Sequence, residues 1–216
     1  MPAADREGVG EAGESPPDTA LDRTLADALE RVGQGMRVLL HDAARGHGMS
    51  PLQAQLLLRI AREPLSAREV GVLARLLDIT QPTASDALAA LRRKGLIERT
   101  TCGYDRRRAT LAPTSLGRAV AGELRGWDER AVAALAAHPR AEKEDLLELL
   151  LGLIARLQRD GVVTVARMCV TCRFFRPERH AGAPAPHHCA LLDLPLAPAD
   201  LRVDCPDHQP LTDAPA

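Results

Sequence analysis

The stretch from Ser66 to Pro113 constrains the fold most. Leu73, Ala74 and Leu77 follow helical spacing and stop at Asp78-Ile79-Thr80. A second helical run starts at about Thr80, carries Ala84, Leu88 and Leu91 on one side, reaches Lys94 and stops at Gly95, a residue suited to a helix C-terminus. Leu96–Thr100 then reads as a strand, Thr101–Arg107 as a polar, basic turn around Gly103, and Arg108–Ala112 as the return strand. Two helices separated by three residues can bury both apolar faces only by crossing steeply. Leu73 and Ala74 then pack on Ala84, Leu88 and Leu91, and Ile79 fills the turn.

The elements around this unit are helical. Asp18 or Thr19 caps a helix with Leu21, Leu25, Leu29, Val32, Met36 and Leu39 on one face, and Ala44–Ser50 reads as a turn. Leu52–Ile60 forms a helix entered through Ser50 and Pro51, and Ser66–Glu69 has the pattern of a capping box for the helix that follows. After the hairpin, Thr114 or Ser115 caps a helix expected to run unbroken through Leu116, Val120, Leu124, Trp127, Ala131 and Leu135 to a break at Pro139. A last helix spans about Ala141 to Arg159, with an apolar surface wider than one contact requires. The expected division is a disordered acidic tail over 1–18, a helical domain over 19–160, and a cysteine-rich module over 161–216. The fold class is mainly α with a small β-hairpin wing.

Composition narrows the function classes. Hydrophobic residues make up 45% of the 216, but aromatic residues only 2%, so the core rests on aliphatic side chains and the chain lacks the platform that stacks single-stranded bases. The formal net charge of −1 hides an asymmetry: residues 1–22 hold six acids and one base, whereas residues 66–126 hold eleven bases and six acids. A basic middle beside an acidic tail suits a nucleic-acid partner. No apolar run approaches the ~18 residues of a membrane span, and the N-terminus does not have a signal-peptide pattern. A cytoplasmic location is expected, where thiols stay reduced and clustered cysteines are better explained by metal than by disulfides.

With the apolar face of the Thr80–Lys94 helix buried, Gln81, Thr83, Ser85 and Asp86 point outward at its start, where Gln can read adenine and Thr a thymine methyl. Arg92, Arg93 and Lys94 suit phosphate at its far end. The hairpin tip supplies Asp105, Arg106, Arg107 and Arg108, where an arginine can enter a minor groove and Asp105 can fix one of them by a bidentate pair. The pairs Leu73-Ala74, Thr80-Gln81-Pro82-Thr83, Lys94-Gly95-Leu96, Asp105-Arg106-Arg107 and Thr114-Ser115-Leu116-Gly117 resemble the MarR family of winged helix-turn-helix regulators over roughly Leu21 to Leu157. The stretch between Leu65 and Leu73 is about one turn longer than that family's pattern. The resemblance implies a homodimer built from the terminal helices, repression at a near-palindromic double-stranded operator, release by a small aromatic effector bound between the lobes, and an Asp105–Arg107 pair in the wing. Winged helices also serve as protein-interaction modules. A metal-dependent enzyme on this scaffold has no carboxylate pair, Ser–His arrangement or phosphate loop to support it.

Cys169, Cys172, Cys189 and Cys205 follow a C-x2-C-x16-C-x15-C spacing that can supply four thiolates to a metal. A zinc ribbon has two C-x2-C knuckles, and here only the first is paired. The wide later spacing loosely resembles high-potential iron–sulfur proteins, Pro206 follows Cys205 as prolines follow cluster cysteines in ferredoxins, and Phe174 and Phe175 flank Cys172. His187, His188 and His208 nearby suit zinc. The reading favours a [4Fe–4S] cluster over zinc and leaves both open, with His188 as a supporting residue rather than a ligand. Cys102, in the wing, is read as an incidental small residue rather than an oxidant sensor.

Overall fold

The computed structural model describes residues 18–102 and 105–211, with the side chains of 101–109 left out. Apart from Asp18, the expected disordered tail over 1–18 lies outside the described residues. So do the side chains of Cys102 and of the wing residues Asp105, Arg106, Arg107 and Arg108.

The helices begin where local chemistry starts them. Asp18 caps α1 (Thr19–Gly46) by accepting from the Leu21 amide. Ser50 and Gln53 form a capping box on α2 (Pro51–Arg62), with Pro51 in the first turn where its missing N–H costs nothing. Thr80 caps α4 (Gln81–Arg93), which ends before Gly95 at φ +70°. Between them lies α3 (Val70–Leu76), which starts later than the capping-box pattern at Ser66 suggests. Leu65–Ala67 instead forms a 3-10 turn. The reason is tertiary: Arg68 accepts from the Leu111 amide through its carbonyl and donates its Nε–H to the Glu63 carbonyl at 2.7 Å, which holds the segment against the hairpin.

The hairpin pairs β1 (Ile97–Cys102) with β2 (Asp105–Pro113) antiparallel, from Ile97 opposite Pro113 to Thr101 opposite Ala109. Both strands run closer to the tip than the sequence suggests. The first core gathers Leu40, Leu56, Leu57 and Ile60 with Leu73, Leu88, Leu91, Leu96, Ile97, Leu111 and Leu124. Ala74 and Ala84 are also buried, so the two helices pack face to face as expected.

The single long helix expected after the wing is two helices. The first, α5 (Ser115–Glu123), gives way to a 3-10 turn over Leu124–Gly126 before α6 (Glu129–Ala136). Gly122 and Gly126 weaken helix propensity here. Leu124 is buried and Trp127 packs partly against the first core, so the chain tightens to seat both. The last long helix, α7 (Arg140–Arg159), ends before Gly161 at φ +73°.

The segment beyond Gly161 folds onto α7. Ala166, Met168 and Leu201 form a second core with Leu151 and Ala155 of the helix, flanked by Leu147 and Ile154. A small antiparallel sheet in the order β3 (Phe175–Arg176), β4 (His187–Cys189), β5 (Leu194–Leu196) covers it. The tail thus occupies one side of the wide apolar surface of α7, while Leu146, Leu149 and Leu153 stay exposed. Among the described residues no helix is long and apolar enough to cross a membrane.

Candidate nucleic-acid interface and cysteine cavity

The α3–α4 unit has a tight turn. Asp78 adopts φ 51°, and the Ile79 amide donates back to the Ala74 carbonyl at 3.0 Å. With Ala84, Ala87, Leu88 and Leu91 buried, Gln81, Thr83, Ser85 and Asp86 are exposed on the other side of α4, and Arg92, Arg93 and Lys94 are exposed at its end. Three of these side chains have neighbours that sequence alone did not show. Gln81 lies over Gly71 of α3, where an added Cβ would meet its Nε2 at 2.6 Å. The Thr83 and Thr80 hydroxyls are 2.8 Å apart. The Lys94 ammonium donates to the Gly48 carbonyl, so it also ties the end of α4 to the α1–α2 turn.

The hairpin is anchored by Thr114, which caps α5 through the Gly117 amide at 3.0 Å and donates its hydroxyl to the Gly95 carbonyl at 2.7 Å. This joins the end of α4, the root of the wing and the start of α5 in one hydrogen-bonded knot.

Outside this lobe, Cys169, Cys172, Cys189 and Cys205 line one cavity. The C-x2-C turn is closed by the Cys172 amide donating to the Cys169 carbonyl at 3.0 Å. Pairing of Phe175 with Cys189 brings the third cysteine alongside. The Cys205 amide donates to the Arg167 carbonyl at 2.7 Å, which fixes the fourth. Burial pushes the Cys169 thiol up; the Arg202 amide hydrogen bond opposes this, and the charges of Cys205, Cys189 and Cys172 add to it. Phe174 and Phe175 line the cavity, as their positions suggested, together with Leu191, Leu192, Leu196 and Asp207.

The three nearby histidines make other contacts. His187 is buried between Glu148 and Glu178, each at 3.3 Å, His188 faces Asp193 and His180, and His208 contacts the Thr171 hydroxyl. Among the described residues no three Cys, His, Asp or Glu side chains form a site for a single metal ion.

The tail and the winged helix meet at an ionic junction. Glu63, at the C-terminal cap of α2, is 4% exposed. Its carboxylate accepts from Arg167 Nη1 at 2.9 Å and Nη2 at 2.6 Å, and from Arg59 Nη1 at 3.2 Å. Arg167 also donates its Nε–H to Asp204 at 2.7 Å, and Arg59 reaches Asp204 as well. Burial alone would raise the Glu63 carboxyl, but the hydrogen bonds and charge of Arg167, with Arg59, outweigh it and hold the group below the ordinary carboxylate range. Asp204 is lowered in the same way by Arg59 and Arg167 against its own burial. These partners are about a hundred residues apart, and nothing in the local sequence marks them. A second tie joins the Thr164 amide to the Asp78 carboxylate in the α3–α4 turn at 2.7 Å.

The comparisons bear on the winged-helix part. No curated protein matches the sequence. The structure is similar to MepR from Staphylococcus aureus in a DNA complex, at 20% identity over 61% of this chain and 97% of that one, with a TM-score of 0.55. It is similar to MepR in a DNA-binding conformation, at 21% identity over 62% and 98%, TM-score 0.55. It is also similar to the transcriptional regulator BldR from Sulfolobus solfataricus, at 24% identity over 65% and 99%, TM-score 0.53. Residues 47–108 match the model of the MarR family, and the helical chain with its small antiparallel hairpin has that family's winged helix-turn-helix fold.

Proposed function

We propose that the protein is a non-enzymatic, sequence-specific regulator of transcription that binds double-stranded DNA as a homodimer. The observation that carries this reading is α4: its apolar side is buried, while Gln81, Thr83, Ser85 and Asp86 are exposed over its first turns and Arg92 and Arg93 at its end. This is the layout of a recognition helix, with base-reading groups at the N-terminal end and phosphate-binding groups flanking them. The wing adds Asp105, Arg106, Arg107 and Arg108 as minor-groove and backbone contacts. The solved MepR–DNA complex, a fold relative, supports the same reading.

The dimer reading rests on uncovered apolar side chains. Leu21, Leu25, Leu29 and Val32 of α1 are exposed in one stripe, with Leu135 of α6 and Leu149 of α7 also exposed. A stripe of that length on a soluble helix marks a protein contact. Dimerisation places two recognition helices on half-sites about 10 base pairs apart, hence a near-palindromic operator. Repression is the mode we assign. An open groove lined by Leu39 and Trp127, with Arg125 and Arg130 beside Asp42, Glu123 and Glu129, is where we place a small aromatic releasing effector. MepR has been solved with ethidium bound.

Selection of binding sequences from a random duplex pool tests the reading. Enrichment of a near-palindrome with half-sites about 10 base pairs apart is expected. No enrichment over non-specific DNA would favour a protein-interaction role for the winged helix, and a single unpaired half-site would refute the dimer.

A further inference from the structure

We propose that Cys169, Cys172, Cys189 and Cys205 hold a [4Fe–4S] cluster, and that its presence sets the position of the helix-turn-helix through the Glu63–Arg167–Asp204 junction. The second half rests on the DNA-binding reading above.

The four cysteines line one cavity, part of it open to solvent, and among the described residues no three Cys, His, Asp or Glu side chains are placed to hold a single metal ion. A single zinc at about 2.3 Å from each sulfur draws four thiolates to within about 4 Å of one another. A cuboidal iron–sulfur core holds its thiolates farther apart. Phe174, Phe175 and Leu196 give the cavity an apolar wall that limits water at the inorganic sulfides, while Leu191, Leu192 and Asp207 line its solvent-exposed side. Hydrogen bonds to the sulfurs are a further means by which proteins stabilise such clusters. The Arg202 amide donates to Cys169 Sγ at 3.2 Å, and its guanidinium Nη1 approaches Cys205 Sγ at 3.7 Å. That cation faces the anionic cluster that four thiolates would create. The histidines that would favour zinc point to Glu148, Asp193 and Thr171. Loading by transfer of a preassembled core balances simply. Each cysteine forms one Fe–Sγ bond as the bond from that iron to a thiolate of the donor breaks, the thiol proton passes through solvent to the released thiolate, and the oxidation level of the core is unchanged.

Transmission follows from covalent adjacency. Asp204 precedes Cys205, and Arg167 is two residues before Cys169. One side of the cluster therefore carries Arg167, which clamps Glu63 at the end of α2, and the other carries Asp204, which holds Arg167 in place. From Glu63 the chain of contacts runs through the Arg68 side chain to its carbonyl, which accepts from Leu111 of the wing at 3.3 Å. The Thr164–Asp78 bond links the same tail to the turn before α4. Loss of the cluster frees Cys205 and Cys169 to move, which releases the clamp.

The test uses full-length protein purified without oxygen. Expected are about four irons and four acid-labile sulfides per chain, with broad absorption near about 400 nm. Cys189→Ser and Cys205→Ser lose this signature, and Cys102→Ser keeps it. Stoichiometric zinc without sulfide, or a full cluster in both serine variants, would overturn the site. Circular dichroism of wild-type protein before and after chelation shows that any loss is not wholesale unfolding. For transmission, anisotropy with the selected duplex should show about a tenfold or greater difference in affinity between loaded and stripped protein, within the usual range for coupled sites. Glu63→Gln should shrink that ratio while keeping its iron content. Equal affinities of the two wild-type forms would overturn the transmission. Absence of selective binding by either form would instead refute the DNA-binding reading, and transmission with it, while the spectrum decides the site alone.

Discussion

Replacing Gly117 by alanine sets helix propensity against tertiary packing, and the two predict opposite signs. Gly117 lies in the first turns of α5, where alanine favours a helix by about 1 kcal/mol over glycine. The structure leaves no room for the methyl group. A Cβ at this position would meet the Leu96 carbonyl oxygen at 1.8 Å and its carbon at 2.8 Å. Both are backbone atoms at the root of the wing, so no side-chain rotation relieves the clash, and α5 must move away by more than 1 Å. That carbonyl accepts from the Thr114 amide at 3.1 Å, and Thr114 caps the helix. Displacement therefore weakens one backbone hydrogen bond, worth about 1 kcal/mol, and the cap, worth about 1 kcal/mol, and adds overpacking of about 1–3 kcal/mol. After the propensity gain, the net loss is about 2–4 kcal/mol. In urea, with a slope of about 2 kcal/mol/M, the midpoint falls by about 1–2 M. Circular dichroism through a urea titration reads it. Gly122→Ala on the same helix is the control, since a Cβ there meets nothing within 4 Å; it should be neutral or stabilising. A Gly117→Ala midpoint equal to or above wild type would refute the packing argument.

Glu63→Gln removes the charge that pairs with Arg167 and Arg59 and should destabilise tail docking by about 2–3 kcal/mol; we reduce the usual cost of breaking a buried pair because both arginines are partly exposed. Faster limited proteolysis after Gly161 measures it, and an unchanged cleavage rate would remove the junction from the account. The pH dependence has a definite sign: Glu63 titrates lower when folded than when unfolded, so it stabilises the docked tail above about pH 4.3, and that contribution disappears as pH falls through the folded value. Hydrogen exchange of the tail between neutral and acidic pH should show this loss in wild type and a smaller one in Glu63→Gln, where Asp204 still titrates low. Leu25→Asp on the exposed stripe of α1 should halve the mass seen by light scattering, whereas a dimeric variant would place the interface elsewhere. Arg107→Ala should lower the salt dependence of DNA binding by about one phosphate equivalent; an unchanged slope would remove Arg107 from the interface.

Much of this molecule is legible along the chain because its signals are local. Asp18, Ser50, Thr80 and Thr114 each stand a few residues before an apolar period and satisfy the amides of the helix they open. The spacing of Leu73, Ala74, Ala84, Leu88 and Leu91 specifies two helices packed across a tight turn, and thereby which side of α4 remains exposed. The excess apolar width of α7 also shows in the sequence, since it must seat the tail on one side and leave Leu146, Leu149 and Leu153 on another. Tertiary structure decided what local rules could not. Ser66–Glu69 reads as a cap, but hydrogen bonding of Arg68 to Leu111 and Glu63 holds that segment in place before α3. The run from Ser115 to Leu135 reads as one helix, but seating Leu124 and Trp127 together on the first core divides it. The cysteine spacing shows four possible ligands, and only the folded tail shows that all four line one cavity. The Glu63–Arg167 contact joins residues 104 apart, and such a pair forms only after two separate cores bring its partners within hydrogen-bonding reach.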